Sequence, residues 1–352
     1  MQPRPAKLRP LDPRVPAWPT DQLEERECPL CDAEGEARFI RPDGLQVLHC
    51  HICGVYYISP APTKEALAEF YRSYYRTHQR CVPTPRDAHH LLRVTPTSDF
   101  RVRKVLDYVD VKGRPVLDVG FGWGDFLVRF RALGAVAEGI DLDPDAVEFV
   151  RRYLGIPGVW ACDLADFRPN RQYAVVVMND LIEHPLRPRD LLESARRLLD
   201  EDGLIAITTP NASFAERQPE PIVFRVDLEH MQYLTFASCA FLARELGLEI
   251  IHCESFGHAA TCKTDPNGPS RPRPAVQILK RCLWNVPGFD VLNKVRRGIK
   301  ERAWQRTNDL RRGDYQLFVL MRKPPRSACR VPVCECPPNT RTTTGAGSAC
   351  KG

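Results

Sequence analysis

The stretch "VLDVGFGWGDF", residues 116–126, constrains this chain more than any other. A short apolar run with the pattern of a strand carries an acid, Asp118; glycines stand at 120, 122 and 124, and a helical pattern begins at Asp125. Gly120, Gly122 and Gly124 let backbone N–H groups approach a ligand with no Cβ in the way. The helix that follows points its positive end at the same spot. Strand and helix patterns alternate around this unit. Strands are expected near 115–119, 136–141, 158–162, 173–179, 203–209, 248–254 and 315–322, and helices near 99–110, 125–133, 144–154, 188–200 and 235–246. This alternation predicts an α/β fold, a Rossmann-like, doubly wound and mostly parallel sheet. Ligands of such sheets lie beyond the carboxyl ends of the strands, where the strand order reverses.

Two ligands compete for the turn. A dinucleotide asks for G-x-G-x-x-G, but here the third glycine comes one residue early and Asp125 takes its place. A carboxylate there repels a pyrophosphate. S-adenosylmethionine carries no phosphate; its carboxylate suits the turn's N–H groups and its ammonium suits Asp118. The second strand, "AVAEGIDLDP", ends at Asp141 and Leu142, and a carboxylate at that tip can accept both ribose hydroxyls. In "WACDLADF", Asp163 is placed to accept from an adenine amino group, with the Leu164 N–H beside it. The fourth strand, "YAVVVMND", delivers Asn179 and Asp180 to the same edge.

The runs "VLDVGFGWGDF", "GIDLDP", "CDLADF", "VVVMNDLIEHPLRP", "GLIAITTPN" and "EHMQYLTFASCAFLARELGLEI" together resemble the class I S-adenosylmethionine-dependent methyltransferases. Within that family they are most similar to the subgroup of ubiquinone-biosynthesis O-methyltransferases and sugar C-methyltransferases. The likeness covers about residues 100–256 and 315–322. It implies a seven-stranded sheet with an antiparallel last strand, and cofactor contacts from Asp118, Gly120, Asp141 and Asp163. Phe121-Gly122-Trp123 departs from the family, which more often has small or polar residues around these glycines; Trp123 either crowds the methionine end or packs outward.

Methyl transfer to a hydroxyl or an enolisable carbon needs a base, and histidine suits it because its pKa lies near working pH. His184 follows the fourth strand and His230 follows the fifth; each comes directly after a glutamate, Glu183 and Glu229. By resemblance to the sugar C-methyltransferases, His184 is expected as base and Glu229 with His230 as an acid–base or orienting pair. A loop-fixing role is the alternative for each. Tyr233 is a further candidate for acceptor contact. The N/D-P-P-Y/F run of enzymes that methylate base amines is replaced by Asn179-Asp180-Leu181-Ile182, which argues against such targets.

"CPLC" and "CHIC" place Cys28, Cys31, Cys50 and Cys53 in a C-x2-C-x18-C-x2-C spacing. This is the spacing of a four-thiolate zinc ribbon, a closed structural Zn2+ site. Two disulfides, free thiols, or His49 and His51 as replacement ligands are the alternatives. The ribbon followed by "YYISPAPTKEALAEFYRSYY" also resembles the module that precedes many methyltransferases of this subgroup. Tyr71, Tyr74 and Tyr75 stand at helical spacing, which more often marks a core than a pocket.

The expected organisation is a disordered tail over 1–24, a ribbon over 25–60, a helix at 63–79 and a linker to residue 98, and a catalytic domain over 99–325 with a basic insertion at 257–313. Residues 326–352 are expected as a disordered tail. The net charge of +6 is concentrated in 271–312, where twelve Lys/Arg face three Asp/Glu. An amphipathic helix there would pack on the domain, touch an anionic membrane or meet a phosphorylated substrate; nucleic acid is the weaker partner. The N-terminal twenty residues hold six prolines and no apolar core, and no run approaches the ~20 apolar residues of a membrane span, so a cytoplasmic protein is expected. The function expected is methyl transfer to an oxygen or carbon of a small-molecule, sugar or lipid-like acceptor. A zinc-ribbon RNA methyltransferase and a non-catalytic binding protein of the same fold are the rivals.

Overall fold

The computed structural model describes residues 5–11, 14–80, 82–257 and 313–324. The basic stretch 271–312 and the tail cysteines Cys329, Cys334, Cys336 and Cys350 lie outside the described residues.

The N-terminal part is built from short strands: β1 (Ala6–Lys7), β2 (Leu23–Glu24), β3 (Glu36–Ile40), β4 (Gln46–His49), β5 (Tyr56–Ser59) and β6 (Ala61–Pro62). Contrary to the expectation of a tail, much of residues 5–24 is part of the module. β1 pairs in parallel with β3, Leu8 is buried, and the Trp18 ring lies 4.9 Å from Phe70. The exposed edge of β3 offers unpaired backbone groups, and the proline-rich strand satisfies part of them. The expected helix at 63–79 appears as α1 (Lys64–Arg72) and α2 (Tyr74–Thr77), broken at Ser73. Thr63 caps α1, its hydroxyl accepting the Ala66 N–H at 3.2 Å. The expected linker contains a helix, α3 (Pro85–Leu91). Pro85 starts it, and Asp87 reaches back to accept the Thr84 N–H at 2.7 Å, a capping arrangement hidden among prolines in the sequence.

The remaining elements are α4 (Phe100–Leu106), β7 (Pro115–Val119), α5 (Asp125–Ala132), β8 (Val136–Asp141), α6 (Pro144–Phe149), β9 (Val159–Ala161), β10 (Tyr173–Asn179), α7 (Pro188–Leu198), β11 (Leu199–Pro210), β12 (Gln232–Tyr233), α8 (Phe236–Glu245), β13 (Glu249–Phe256) and β14 (Gln316–Arg322). Seven of the strands form one sheet in the order β13-β14-β11-β10-β7-β8-β9. β7, β8, β9, β10 and β11 run parallel, and β14 lies antiparallel between β11 and β13. Order reverses at β7, so its carboxyl end opens beside β10 at the glycine turn.

The strands alternate as a doubly covered sheet requires. Leu117, Val119, Val176 and Met178 face one core with Leu192 and Ala195 of α7 and Leu242 of α8. Val116, Val175 and Val177 face the other with Phe100 and Val105 of α4 and Phe130 of α5. Each such Val, Leu, Met or Phe side chain contributes about 1.5–3 kcal/mol through burial. β12 leaves this architecture. It pairs antiparallel with β5 and completes a second sheet, ordered β1-β3-β4-β5-β12. The catalytic domain thus lends its own strand to the N-terminal module. Among the described residues no helix is long and apolar enough to cross a membrane.

Candidate functional site

β7 ends in the glycine turn as expected. Gly120, Gly122 and Gly124 all have positive φ, and Gly124 precedes α5 directly. A Cβ on Gly120 would lie 3.0 Å from Leu181, and one on Gly122 would lie 2.9 Å from the Tyr75 hydroxyl. The turn therefore fits between the loop after β10 and helix α2 only without side chains. Asp141 at the tip of β8 accepts the Gly122 N–H at 2.8 Å and the Asp143 N–H at 2.9 Å. Leu142 is exposed beside it, while Leu164 is buried and Asp163 accepts the Ala165 N–H at 2.8 Å. Asn179 is already engaged. Its amide oxygen accepts from Arg101 and its NH2 donates to Asp180 at 3.0 Å.

Burial pushes Asp118 well above the usual carboxylate range, with Asp141 and Asp125 adding to it and Arg101 opposing. Burial likewise pushes Asp141 up to about 6, against the N–H groups it accepts. A buried acid held in this way fits a ligand that brings a cation, and the ammonium of an amino-acid end is such a group. Trp123 is held by aromatic neighbours. Its ring packs 4.5 Å from Tyr75 and 5.6 Å from Phe149. Arg101 is a site residue that sequence reasoning does not find. It is clamped by Asp99, its Nη2 donating at 2.7 Å, and reaches Asn179 at the end of β10. It also lies over the Phe126 ring. Nothing in its local sequence marks it; only α4 packing across the strand ends brings it there.

Beside the turn sits a second cluster. The His184 and His230 rings meet edge to face at 4.8 Å. Their glutamates do not pair with sequence neighbours. His230 Nε2 lies 3.9 Å from Glu183, whereas Glu229 accepts from Tyr74 at 2.6 Å, from Gln79 at 3.3 Å, and contacts His78 Nε2 at 3.3 Å. The Tyr71 hydroxyl bonds His184 Nδ1. Tyr71, Tyr74 and Tyr75, more often core at such spacing, instead point their hydroxyls at His184, Glu229 and Gly122. With His78 they form a polar stripe, which the spacing 71, 74, 78 carries in the sequence. Tyr233, the further candidate for acceptor contact, is already engaged. It is fully buried, and its hydroxyl accepts from Arg41 at 2.8 Å.

Burial lowers His184 to about 4, with Glu229 opposing, and lowers His230 well below its ordinary value. Both rings are neutral at physiological pH. Burial alone would raise Glu229, but the bond from His78, the neighbouring rings and the Tyr74 hydroxyl outweigh it and hold the carboxylate well below its usual range. Burial raises Glu183 well above that range, and Asp180 adds to it. The Glu183 carboxyl has the Thr209 hydroxyl as a hydrogen-bonding neighbour, while His230 Nδ1 has no hydrogen-bond partner among the described residues. A buried orphan of this kind asks for a water, an ion or a ligand group to satisfy it.

The four cysteines of the two knuckles converge. Their sulfurs lie within 4.8 Å of one another, Cys28 to Cys53 at 3.4 Å and Cys31 to Cys50 at 3.5 Å. Tetrahedral zinc with Zn–S near ~2.3 Å sets sulfurs about 3.8 Å apart, so the donor set fits that ion. His49 and His51 stay outside it: His49 stacks on Tyr56 at 4.4 Å and His51 meets Glu36 at 2.9 Å.

Residues 88–253 match a family model described as a methyltransferase domain. Over 136 residues the chain is 28% identical to the ubiquinone biosynthesis O-methyltransferase of Glaesserella parasuis, covering 33% of this chain and 58% of that protein. Over 165 residues it is 28% identical to the enzyme of the same name from Thiobacillus denitrificans, covering 43% of this chain and 71% of that one. The chain thus spans less than two thirds of the first relative's length. A solved S-adenosylmethionine-dependent methyltransferase from Archaeoglobus fulgidus aligns at TM-score 0.42 and 18% identity, over 64% of this chain and 92% of that one.

Proposed function

We propose that this chain, whose residues 88–253 form a class I S-adenosylmethionine-dependent methyltransferase domain, methylates an oxygen or carbon of a small, oxygen-rich acceptor. The observation that carries this reading is the contact between two clusters: α2 and the loop after β10 touch both the glycine turn and the His184–His230–Glu229 group. S-adenosylmethionine, when bound, supplies the electrophilic methyl group. Asp141 and the Gly122 region would hold its ribose, Asp118 its ammonium, Arg101 its carboxylate, and Asp163 with Leu164 its adenine. Alignment of the reacting atoms is the protein's main contribution, about 7–11 kcal/mol in well-oriented reactions.

His184 is the base in this reading. When its Nδ1–H donates to the Tyr71 oxygen, the Nε2 lone pair would take the acceptor's proton, and the bond from the ring to the Asp180 main chain, which favours the protonated form, would steady the imidazolium. The low pKa keeps that lone pair free at neutral pH. Glu229, held ionised by Tyr74 and Gln79, favours the charge that His184 gains. The unpartnered His230 Nδ1 favours an acceptor that carries hydroxyl or carbonyl groups over a wholly apolar ring.

Cys28, Cys31, Cys50 and Cys53 would hold a structural zinc ion; four thiolates close the tetrahedron and leave no position for chemistry. One experiment tests both readings. Protein purified under reducing conditions is analysed for metal, then incubated with methyl-labelled cofactor and a cell extract, and products are read by mass spectrometry. One zinc per chain and a labelled oxygen-rich metabolite are expected. Labelled RNA would support the rival polymer substrate, and no labelled product would refute methyl transfer.

A further inference from the structure

The segment that carries Glu229 and His230 is held from the N-terminal module by two arginines: Arg26 Nη2 donates to the Met231 carbonyl at 2.5 Å, and Arg41 makes the larger set of bonds. Arg41 follows β3 and is completely buried. Its Nη1 donates to the His230 carbonyl at 2.6 Å and to the Tyr233 hydroxyl at 2.8 Å, and its Nη2 donates to the Leu228 carbonyl at 2.8 Å. Its Nε donates to Asp43 at 3.2 Å, so the buried charge has a carboxylate partner, itself almost fully buried.

The gripped segment also fixes the other histidine. The Met231 N–H donates to the Glu183 carbonyl at 2.8 Å. Gln232 Nε2 donates to the Ile182 and Pro185 carbonyls at 2.9 and 2.8 Å, bracketing His184. β12 then joins the module's sheet, Gln232 opposite Tyr57 and Tyr233 opposite Tyr56. Arg41, with Arg26 and the Ile58 N–H on the Met231 carbonyl, holds 228–233 from one side and the His184 loop holds it from the other, with the His230 ring edge-on to His184.

We propose that Arg41 is a positioning residue for the acid–base cluster, setting the backbone of 228–233 from outside the methyltransferase domain. This rests on the reading of that cluster given above. The hydrogen bonds of Arg41 reach neither a ring atom nor a carboxylate of the cluster, so they act through two carbonyls and the Tyr233 hydroxyl, while its charge also disfavours the protonated His230 ring. A guanidinium suits the task because its rigid fork reaches two carbonyls, a hydroxyl and a carboxylate at once, which a lysine ammonium cannot do. Asp43 has a different duty. It neutralises Arg41, and its carboxylate also accepts the Leu45 N–H at 3.3 Å, within its own turn.

The test compares Arg41→Lys with Asp43→Asn in the full chain, reading three quantities: amide hydrogen exchange over 228–233, affinity for S-adenosylmethionine, and the pH profile of kcat. Arg41→Lys is expected to speed exchange in 228–233 and lower kcat about tenfold or more. Cofactor affinity should stay within about twofold, and the acid limb of kcat should move towards the ordinary histidine value of about 6.5 as the rings gain water. Asp43→Asn keeps the carbonyl bonds and is expected to keep kcat even where it lowers the melting temperature. If both variants lose turnover and cofactor affinity in step with stability, Arg41 is only a structural residue and the proposal fails. Unchanged exchange over 228–233 in Arg41→Lys overturns it too, whatever the activity. That exchange readout stands even if the wild-type protein transfers no methyl group, a result that would sink the functional reading and not this one. Should Arg41→Lys not yield folded protein, Tyr233→Phe removes one of the three bonds; faster exchange confined to 228–233 supports the grip, and unchanged exchange overturns it.

Discussion

The two halves of the site are made in opposite ways. The cofactor half is local: Asp118, Gly120, Gly122 and Asp141 fall within 24 residues of sequence, on two adjacent parallel strands and one turn. The half proposed for the acceptor is assembled from Tyr71 and Tyr74 on the N-terminal helices, His78 just after them, His184 after β10, and Glu229 with His230 before β12. A local half is fixed once its strand pair forms. A distributed half depends on how the N-terminal module seats on the domain, and so can vary in chemistry while the cofactor cradle stays the same.

If the halves are separable, a variant in one should leave the other intact. The largest effect is expected from His184→Ala. Loss of a general base costs roughly 10²–10⁴-fold in rate, so kcat should fall by that much while cofactor affinity, measured by calorimetry, stays unchanged. An unaltered kcat would remove His184 from the chemistry. A parallel loss of cofactor affinity would show that the halves are one unit.

Asp141→Asn tests the converse. A hydrogen bond to a charged group is worth about 1.5–3 kcal/mol, so affinity for S-adenosylmethionine should weaken roughly ten- to a hundredfold, with kcat at saturation nearly preserved. The pH dependence gives the sign. Burial raises Asp141 to about 6, and in the proposed site its ionised form would accept the ribose hydroxyls. Affinity should therefore rise with pH through about 6 and level off above it, with proton release on binding near that pH. Asp141→Asn should lose this step. A wild-type affinity flat from pH 5 to 7 would mean that another group holds the ribose.

The same contrast decides how much of the molecule is legible in its sequence. Strand and helix periods, the glycine turn and the acids at the strand tips are local patterns, and the seven-stranded order with an antiparallel β14 follows from them and from the family resemblance. The knuckle cysteines are legible because their spacing is a rule of coordination geometry. The pairing of Glu229 with Tyr74 and Gln79, and of His230 with Glu183, is not. Adjacent residues in a loop point different ways, and only the seating of α2 decides which acid meets which ring. Arg101 and Arg41 escape sequence reasoning for the same reason, since each acts on a segment more than 70 residues away. Proline-rich composition misleads at residues 5–24 and at α3, because proline opposes helix interiors and central strands yet fits an edge strand and a first helical turn.

Tyr71→Phe should have the smallest effect, and its size sharpens the comparison most. Burial raises the Tyr71 phenol well above its ordinary pKa of about 10, so it keeps its proton across the working range. It can orient His184 through Nδ1 but is a poor base itself. Losing one neutral hydrogen bond costs about 0.5–1.5 kcal/mol, which limits the fall in kcat to roughly 2- to 12-fold. With His184 titrating at about 4, the wild-type acid limb should lie below pH 5. In Tyr71→Phe that limb should move little, because burial, the main cause of the low value, is unchanged. A loss beyond a hundredfold would require the proton to pass through the phenol oxygen, and the distributed half would then begin on the N-terminal helices instead of being merely steadied by them.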